Sequence, residues 1–293
     1  MKRRRFAIHV APLLLAMLLL LGTPLTGFGQ TASTAAQPPT FAVAPAGQSD
    51  LSPIHLHAAS GSSAEATLIV SNGGPTPIEL KSFSVAVTTA VNGGYQVLPK
   101  GNGRFGQVDW ISVPTATYTL APGEQVARVV RLSVPKGTAP GEYMAALATE
   151  TTKSEPVAGS EAFRQFIRKV NAIVITVPGP IHAHFELDAP AIAHGDSTTT
   201  ITVPIANTGN VRVRPKGTIT IERAKDQTII KIPVALNSIY AWDTTMIQQT
   251  IGQVLPVGEY TLTIDLHDEA TGATAKKTER VVFAPQLTAT PGA

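Results

Sequence analysis

The sequence predicts an all-β fold of two tandem antiparallel β-sandwiches behind an N-terminal signal peptide. Turn pairs at Pro122-Gly123 and Pro140-Gly141 bound an alternating segment, Gln125–Val134, because proline presets φ and glycine accepts positive φ. Charged residues make up only 15% of the chain, below the usual ~25%. Thr, Val, Ile, Ala, Gly and Pro dominate instead, which favours strands and turns over helices.

The N-terminus is predicted to be a signal peptide covering residues 1–29. Lys2–Arg5 form the basic region, Val10–Leu21 the apolar region, and the small residues Gly27 and Gly29 offer a cleavage site before Gln30. An uncleaved membrane anchor is the alternative, but the apolar run is shorter than the ~20 residues of a spanning helix. The chain has no cysteine, so neither a lipoprotein attachment site nor a disulfide framework is expected.

Without the first 29 residues, which hold four basic and no acidic residues, 19 basic face 20 acidic residues, a net charge of −1. Global charge therefore gives no argument for nucleic acid or an anionic membrane as a partner. About 260 mature residues exceed one sandwich, which predicts two domains. We expect a flexible leader at 30–49, a first sandwich at 50–179, a second at 180–284 and a disordered tail at 285–293.

Strand candidates in the first domain are separated by turn residues such as Asn72-Gly73-Gly74. They lie near Ile54–Ala58, Ala64–Ser71, Ile78–Thr88, Gln107–Val113, Thr117–Leu120, Gln125–Val134, Glu142–Glu150 and Arg164–Val177. Within the last of these, Phe163, Phe166, Ile167 and Val170 also fit a helical stripe. Continuation into Ala172–Ile175 favours a strand.

The second domain is predicted to begin after the stiff linker Val177–Pro180. Its strands alternate strictly: Ile201, Val203 and Ile205 share one face, as do Tyr260, Leu262, Ile264 and Leu266. The two halves resemble distant copies of each other. Ser71–Gly73 corresponds to Ala206–Gly209, and Pro140–Tyr143 corresponds to Val257–Tyr260. We therefore interpret both domains as immunoglobulin-like.

No motif indicates catalysis, so no catalytic residue and no cofactor are expected. His55 and His57, like His182 and His184, have a spacing that can chelate a transition metal, but the sequence identifies no third ligand. Asp265, Asp268 and Glu269 could supply carboxylates to calcium, but their spacing fits a polar hairpin turn better. No metal site is predicted. A basic sheet face for anionic wall polymers is a further hypothesis, carried by Arg128, Arg131, Arg164, Arg168 and Lys169.

The Gly-rich loop Gly93–Gly106 suggests a glycan-binding site, since loops often carry binding function and exposed aromatic rings stack on sugars. Its candidate residues are Tyr95, Arg104 and Phe105. Trp110 could extend the platform, but a sandwich of this size needs a large aromatic anchor, which favours Trp110 as a core residue.

The order of these turns resembles that in the peptidoglycan-binding domain of WxL-interacting proteins of bacterial cell surfaces. The resemblance spans Phe41 to Gly179 and is carried by Asp109–Ile111, Leu120–Gln125, Val134–Tyr143 and Ile173–Gly179. It implies a non-catalytic module that binds peptidoglycan or a related wall glycan. It also implies a second domain that binds another surface protein.

We therefore predict a non-enzymatic, exported protein of the cell surface, cell wall or extracellular space. Its partners would be peptidoglycan or another wall glycan and, as the resemblance implies for the second domain, a surface protein, but neither nucleic acid nor a membrane spanned by the mature chain. The alternative is a periplasmic pilus-type chaperone or assembly factor with two sandwiches, which would bind subunits through a strand. A secreted hydrolase is a third class, disfavoured because no acid–base constellation is found.

Overall fold

A computed structural model describes residues 40–48, 53–98, 107–114, 117–157, 160–223 and 228–283. The predicted signal peptide, most of the predicted leader and nearly all of the tail lie outside these residues. The described chain is built from strands, with one short 3₁₀ turn at Val108–Trp110. It forms two immunoglobulin-like β-sandwiches, which confirms the predicted fold class. No helix within the described ranges is long and apolar enough to cross a membrane.

The first sandwich packs two sheets and carries two hairpins. Sheet one has the order β1-β3-β9-β7, and sheet two has the order β2-β13-β10-β4-β8. The hairpins pair β5 with β6 and β11 with β12. The strands are β1 Phe41–Pro45, β2 Ile54–His57, β3 Ser63–Asn72, β4 Ile78–Val85, β5 Val87–Thr89, β6 Tyr95–Val97, β7 Ile111–Ser112, β8 Tyr118–Leu120, β9 Gln125–Ser133, β10 Gly141–Thr151, β11 Glu155–Val157, β12 Ser160–Gln165 and β13 Arg168–Val177.

The second sandwich also has two sheets. In one, β14 and β15 pair with the same side of β16, while β19 pairs with its other side. The other has the order β18-β17-β20-β21. The strands are β14 Phe185–Leu187, β15 Ala191–His194, β16 Thr199–Asn207, β17 Lys216–Arg223, β18 Thr228–Ala235, β19 Thr244–Ile251, β20 Gly258–His267 and β21 Thr274–Phe283.

Each sandwich encloses its own hydrophobic core, as the period-two patterns require. The first core includes Leu68, Val130 and Ile173, and the second includes Ile201 and Leu262, all essentially without solvent exposure. Burial of this kind is the main favourable contribution to folding. The predicted domain boundaries remain predictions, although the two cores lie on either side of the linker.

The first strand lies within the segment predicted to be a flexible leader. Phe41 and Val43 are buried because β1 pairs antiparallel with β3. The chain then changes sheets, and β2 pairs in parallel with β13. Among the described strands this is the one parallel pair, and it departs from the antiparallel pattern expected for the sandwich. The sequence does not predict β1 as a strand, because β1 has the composition of the leader and contains only two large apolar residues, Phe41 and Val43.

The two sandwiches repeat one buried asparagine corner. Asn72 donates through Nδ2 to the carbonyls of Thr76 and Leu120 (2.8 and 3.0 Å), and its Oδ1 accepts from Gly74 N. Asn207 donates to Val211 and Ile239 (both 2.9 Å) and accepts from Gly209 N. Both asparagines are about 1% exposed. The resemblance between the halves that the sequence predicts is thus present as matching hydrogen bonds.

A tyrosine corner repeats in the same way. The hydroxyl of Tyr143 donates to the carbonyl of Ala139 at 2.8 Å, and that of Tyr260 donates to the carbonyl of Pro256 at 2.8 Å. Both acceptors lie four residues upstream, at the turn before a late strand. A tyrosine in this place fixes the corner of an immunoglobulin-like sandwich. The Gly-Glu-Tyr sequences therefore reflect sandwich construction.

Asp243 joins the two sandwiches. Its carboxylate accepts hydrogen bonds from the hydroxyls of Thr88 and Thr89 and from Thr89 N, at 2.6–3.2 Å. An apolar cluster lies beside this clamp and comprises Val87, Met144, Ala146, Ala172, Val174 and Tyr240. The β5–β6 hairpin, residues 87–97, therefore connects the outer face of sheet two to the second sandwich.

Candidate partner-binding edge

The N-terminal half of β13 is an open sheet edge. β13 pairs with β10 along its whole length, from Arg168 to Val177. On its other side β2 covers only Ile173–Thr176. Within the described part of the chain, no strand pairs with that side of residues 168–172. We call residues 168–172 the open half-edge.

Two hydrogen bonds show which backbone groups point outward from β13. The carbonyl of Thr176 accepts from Ala58 N at 3.2 Å, and that of Val170 accepts from the hydroxyl of Tyr95 at 3.4 Å. Backbone groups of alternate residues point to the same side of a strand. Hence Val170 and Ala172 direct their N–H groups away from β10.

The side chains beside the open half-edge are anchored. Glu150, whose side chain is only 8% exposed, forms ion pairs with both Arg168 and Lys81. Phe166, just before the strand, is 56% exposed. On the face toward the second sandwich, Val170 packs against the apolar cluster that contains Val87, Ala172 and Tyr240. The strand is thus fixed in position, and among the described strands none pairs with the outward backbone groups of Val170 and Ala172.

Two long edges elsewhere carry features that discourage pairing. β18 contains Lys231 and Pro233, and β21 carries Lys276, Lys277 and Arg280. Charges and proline on an edge prevent unwanted strand addition. The open half-edge also carries two charges, Arg168 and Lys169, of which Arg168 is held in an ion pair with Glu150, and it contains no proline.

A polar cluster lies between the sandwiches. The side chain of Glu142 is 12% exposed and lies 3.4 Å from Nε of Arg212, yet its Oε1 makes no aligned hydrogen bond. A cleft of about 220 Å³ adjoins it and is lined by Val87, Thr88, Gln107, Glu142, Tyr143, Met144, Tyr240, Ala241, Trp242 and Asp243. Desolvation by burial is the main cause that lowers the pKa of His55, and the positive charge of Arg212 lowers it further. Burial raises the pKa of the Tyr240 hydroxyl.

Burial also raises the pKa of Glu142 above its ordinary 4.5, and Arg212 and Arg214 oppose that rise. A carboxyl with a higher pKa when folded holds its proton more tightly in the folded state, so ionisation reduces stability as pH rises through this window. Glu142→Gln should remove that decline, so its melting temperature relative to wild type should increase from pH 4.5 upward. Glu65→Gln, at an exposed carboxylate, is the control. A pH-independent difference for Glu142→Gln would contradict this prediction.

The structure describes only one of the three predicted glycan-binding residues. Tyr95 lies on β6, is 40% exposed and bonds to Val170. Arg104 and Phe105 lie outside the described residues. Trp110 packs against the first core and against Tyr143, with ring centroids 4.9 Å apart. This agrees with the interpretation of Trp110 as a core residue.

The histidine and carboxylate pairs are not brought together into a metal site. No group of three or more His, Cys, Asp or Glu residues among the described positions could hold a metal ion. Asp268 is buried and accepts from the hydroxyl of Thr271 at 2.6 Å, as in a hairpin turn. Asp265 and Glu269 pair with Lys276 and Lys216.

The hypothesis of one basic sheet face is wrong. Arg128 and Arg131 lie on β9 in sheet one, whereas Arg168 and Lys169 lie on β13 in sheet two. Several of these charges are also engaged locally. Arg128 donates to the carbonyl of Pro114 and stacks on Tyr118, and Arg131 pairs with Glu65.

The comparisons with known proteins give structural neighbours only. No protein-family model matches the chain, and no curated protein matches it. The E. coli chaperone DraB is similar at 10% identity and a TM-score of 0.36, covering 84% of this chain and 97% of that chain. A chain of the CsuC–CsuE chaperone–tip adhesion subunit complex of Acinetobacter baumannii is similar at 11% identity and a TM-score of 0.40, covering 83% and 97%.

A chain of the complex of the SafA pilin with the SafB chaperone of Salmonella enterica is similar at 12% identity and a TM-score of 0.36. The match covers 85% of this chain and 99% of that one. At such identities and TM-scores the likeness concerns the fold, and it carries no argument about what this chain binds.

The predicted membership of the WxL-interacting family is wrong, and with it the predicted peptidoglycan partner, wall-binding function and cell-wall location. The solved structures that resemble the chain include a chaperone–tip adhesion subunit complex of Csu pili and the chaperone DraB, and no family model supports the resemblance. The resemblance misleads because the motifs that carry it are turns common to sandwich domains. The Gly-Glu-Tyr element recurs in the second sandwich and builds a tyrosine corner in both, so it reports turn chemistry.

Proposed function

We propose that the chain is a non-catalytic, exported assembly factor of the pilus-chaperone type, which holds an extended segment of a partner protein by β-strand addition. The observation that carries this proposal is the open half-edge of β13. Its outward N–H groups at Val170 and Ala172 are directed away from β10, and β2 begins only beyond them. An incoming segment would continue the sheet beside β13, in line with β2.

Strand addition suits this edge because main-chain hydrogen bonds supply affinity without a preformed pocket. An extended segment running beside residues 168–172 would also meet Phe166, which is 56% exposed, and the anchored Arg168. The incoming backbone would compete with the hydroxyl of Tyr95 for the carbonyl of Val170. That single 3.4 Å contact is a weak competitor for a row of backbone bonds.

The second sandwich would serve as a brace for this edge. Asp243 holds Thr88 and Thr89, and the adjoining apolar cluster contains both Ala172 and Tyr240. A preorganised edge loses less conformational entropy when a partner binds. The two sandwiches together would therefore present β13 in a form ready for pairing.

Strand addition also defines the class of partner. It would be a secreted subunit that has an unpaired sheet edge of its own. Fimbrial-type subunits are the first to test, since SafA, held with SafB in a solved complex, is a pilin. Export rests on the predicted signal peptide, and the absence of catalysis rests on the lack of a recognisable acid–base motif.

Val170→Pro is expected to weaken partner binding about ten-fold or more, because proline removes an outward N–H and leaves a bond of the added strand unmade. Calorimetry or surface plasmon resonance with a fimbrial-type subunit measures the loss. Val170→Ala is the matched control, since it keeps the N–H and shortens the side chain. Ala172→Pro provides a second test of the same outward side.

Circular dichroism and the melting temperature must show that each variant is folded. Equal affinities of folded Val170→Pro and Val170→Ala would contradict strand addition at this edge. So would undiminished binding by both proline variants.

A further inference from the structure

The cleft between the sandwiches has an acidic lining. Of its ten lining residues, two are carboxylates, Glu142 and Asp243, and none is basic. Glu142 pairs with Arg212, which lies outside the lining. Asp243 accepts only from hydroxyl and amide donors among the described residues, so its charge has no counter-ion there. This balance of charge suits a cationic ligand.

Two polar side chains of the lining have unused hydrogen-bonding capacity. The side chain of Glu142 is 12% exposed, and neither carboxylate oxygen accepts an aligned hydrogen bond from the described residues. Tyr240 is 9% exposed, and its hydroxyl has no hydrogen-bond partner within the described ranges. A buried polar group without a partner costs free energy, which a suitable ligand recovers. A ligand rich in N–H donors would satisfy both groups.

The indole of Trp242 forms an aromatic wall of the cleft. Trp242 is 47% exposed, although its ring packs against Tyr143 with centroids 4.9 Å apart. Its φ is 59°, in the left-handed region that a tryptophan rarely adopts. A Cβ added to Gly141 would lie 2.7 Å from Cη2 of Trp242, so the indole lies where only glycine leaves room. Backbone strain that the surroundings maintain often marks a functional position.

We propose that this cleft binds a guanidinium group, carried by a free arginine derivative or by an arginine side chain of another protein. Guanidinium has five N–H donors and no acceptor, so it can donate to Glu142 and to the Tyr240 hydroxyl together. It is planar and more weakly hydrated than ammonium, and it stacks on aromatic faces such as that of Trp242. This site does not depend on strand addition at β13, since none of its lining residues lies in the open half-edge.

Titration calorimetry with N-acetyl-arginine methylamide, on the chain without its predicted signal peptide, tests the site at neutral pH. The citrulline counterpart has the same shape but no charge, and it should bind at least about ten-fold more weakly. In the NMR spectrum the indole N–H resonance of Trp242 should shift on titration. Absence of binding, equal binding of the two compounds, or binding that leaves this resonance in place would overturn the proposal.

Two substitutions locate the contacts. Glu142→Gln keeps the shape of the side chain and removes its charge, so the arginine derivative should bind about ten-fold more weakly. Glu65→Gln, at an exposed carboxylate far from the cleft lining, is the matched control and should bind as wild type does. Trp242→Leu should also weaken binding, and Trp242→Phe, which keeps an aromatic face, should restore part of the affinity.

Circular dichroism must show that each of these variants is folded. Wild-type affinity in both folded Glu142→Gln and folded Trp242→Leu would overturn the proposal. A peptide with one arginine between glycines then separates the two sources of the group. Tighter binding of the peptide than of the arginine derivative would assign the cleft to an arginine side chain of another protein, and equal binding would assign it to a free guanidinium compound.

Discussion

Asn207→Ala is expected to destabilise the second sandwich by about 3 kcal/mol or more, since three buried partners lose their hydrogen bonds at roughly 1–3 kcal/mol each. The carbonyls of Val211 and Ile239 lose a donor, and Gly209 N loses an acceptor. Asn207 is 1% exposed, so water cannot replace the amide without opening the core. Denaturant unfolding followed by circular dichroism measures the loss.

Asn72→Ala supplies the matched variant, because Asn72 makes the same three bonds in the first sandwich. Hydrogen exchange should show each substitution weakening protection mainly in its own sandwich. A loss below about 1 kcal/mol for both variants would contradict the view that these corners hold the sandwiches together.

Asp243→Ala is expected to separate the two sandwiches while leaving each folded. It removes the acceptor for Thr88, for both donors of Thr89 and for Thr244 N. Hydrogen bonds to a charged group contribute about 1.5–3 kcal/mol each. Small-angle X-ray scattering should show a larger radius of gyration, and exchange of the Thr89 amide should accelerate. Thermal unfolding should divide into two transitions.

Thr88→Val is the control for this clamp, because it removes one hydroxyl and leaves Asp243 bonded to Thr89. It should keep the wild-type radius. An unchanged radius and a single transition for Asp243→Ala would show that the other contacts between the sandwiches, such as the apolar cluster and the Glu142–Arg212 pair, hold them in place without the clamp.

The sequence was informative where one residue type serves one physical need. Strict alternation located the cores around Ile201 and Leu262, and turn residues located the repeated corners at Asn72 and Asn207. It failed at β1, where a short strand lies among Thr, Ala, Gln and Pro. Strand formation there depends on pairing with β3, which no local pattern records.

The candidate site was harder to predict because it consists of backbone geometry. The open half-edge arises from the offset between β2 and β13, a tertiary register that alternation does not fix. Hydrogen bonds between the two sandwiches join Thr89 to Asp243 and Asn92 to Gln248, and the residues of each pair are more than 150 positions apart in the sequence. The sequence does predict a binding role for the Gly-rich loop that contains Tyr95, but as a glycan-binding site. A family resemblance built on turns misdirected that interpretation.

Residue-resolved hydrogen exchange of β13, with and without a bound subunit, tests the central claim most directly. In the free chain the amides of Lys169 and Asn171 face β10 and should exchange slowly, whereas that of Val170 faces outward and should exchange fast. On binding, Val170 and Ala172 should become protected. Binding that leaves both amides exchanging as before would contradict strand addition at the open half-edge.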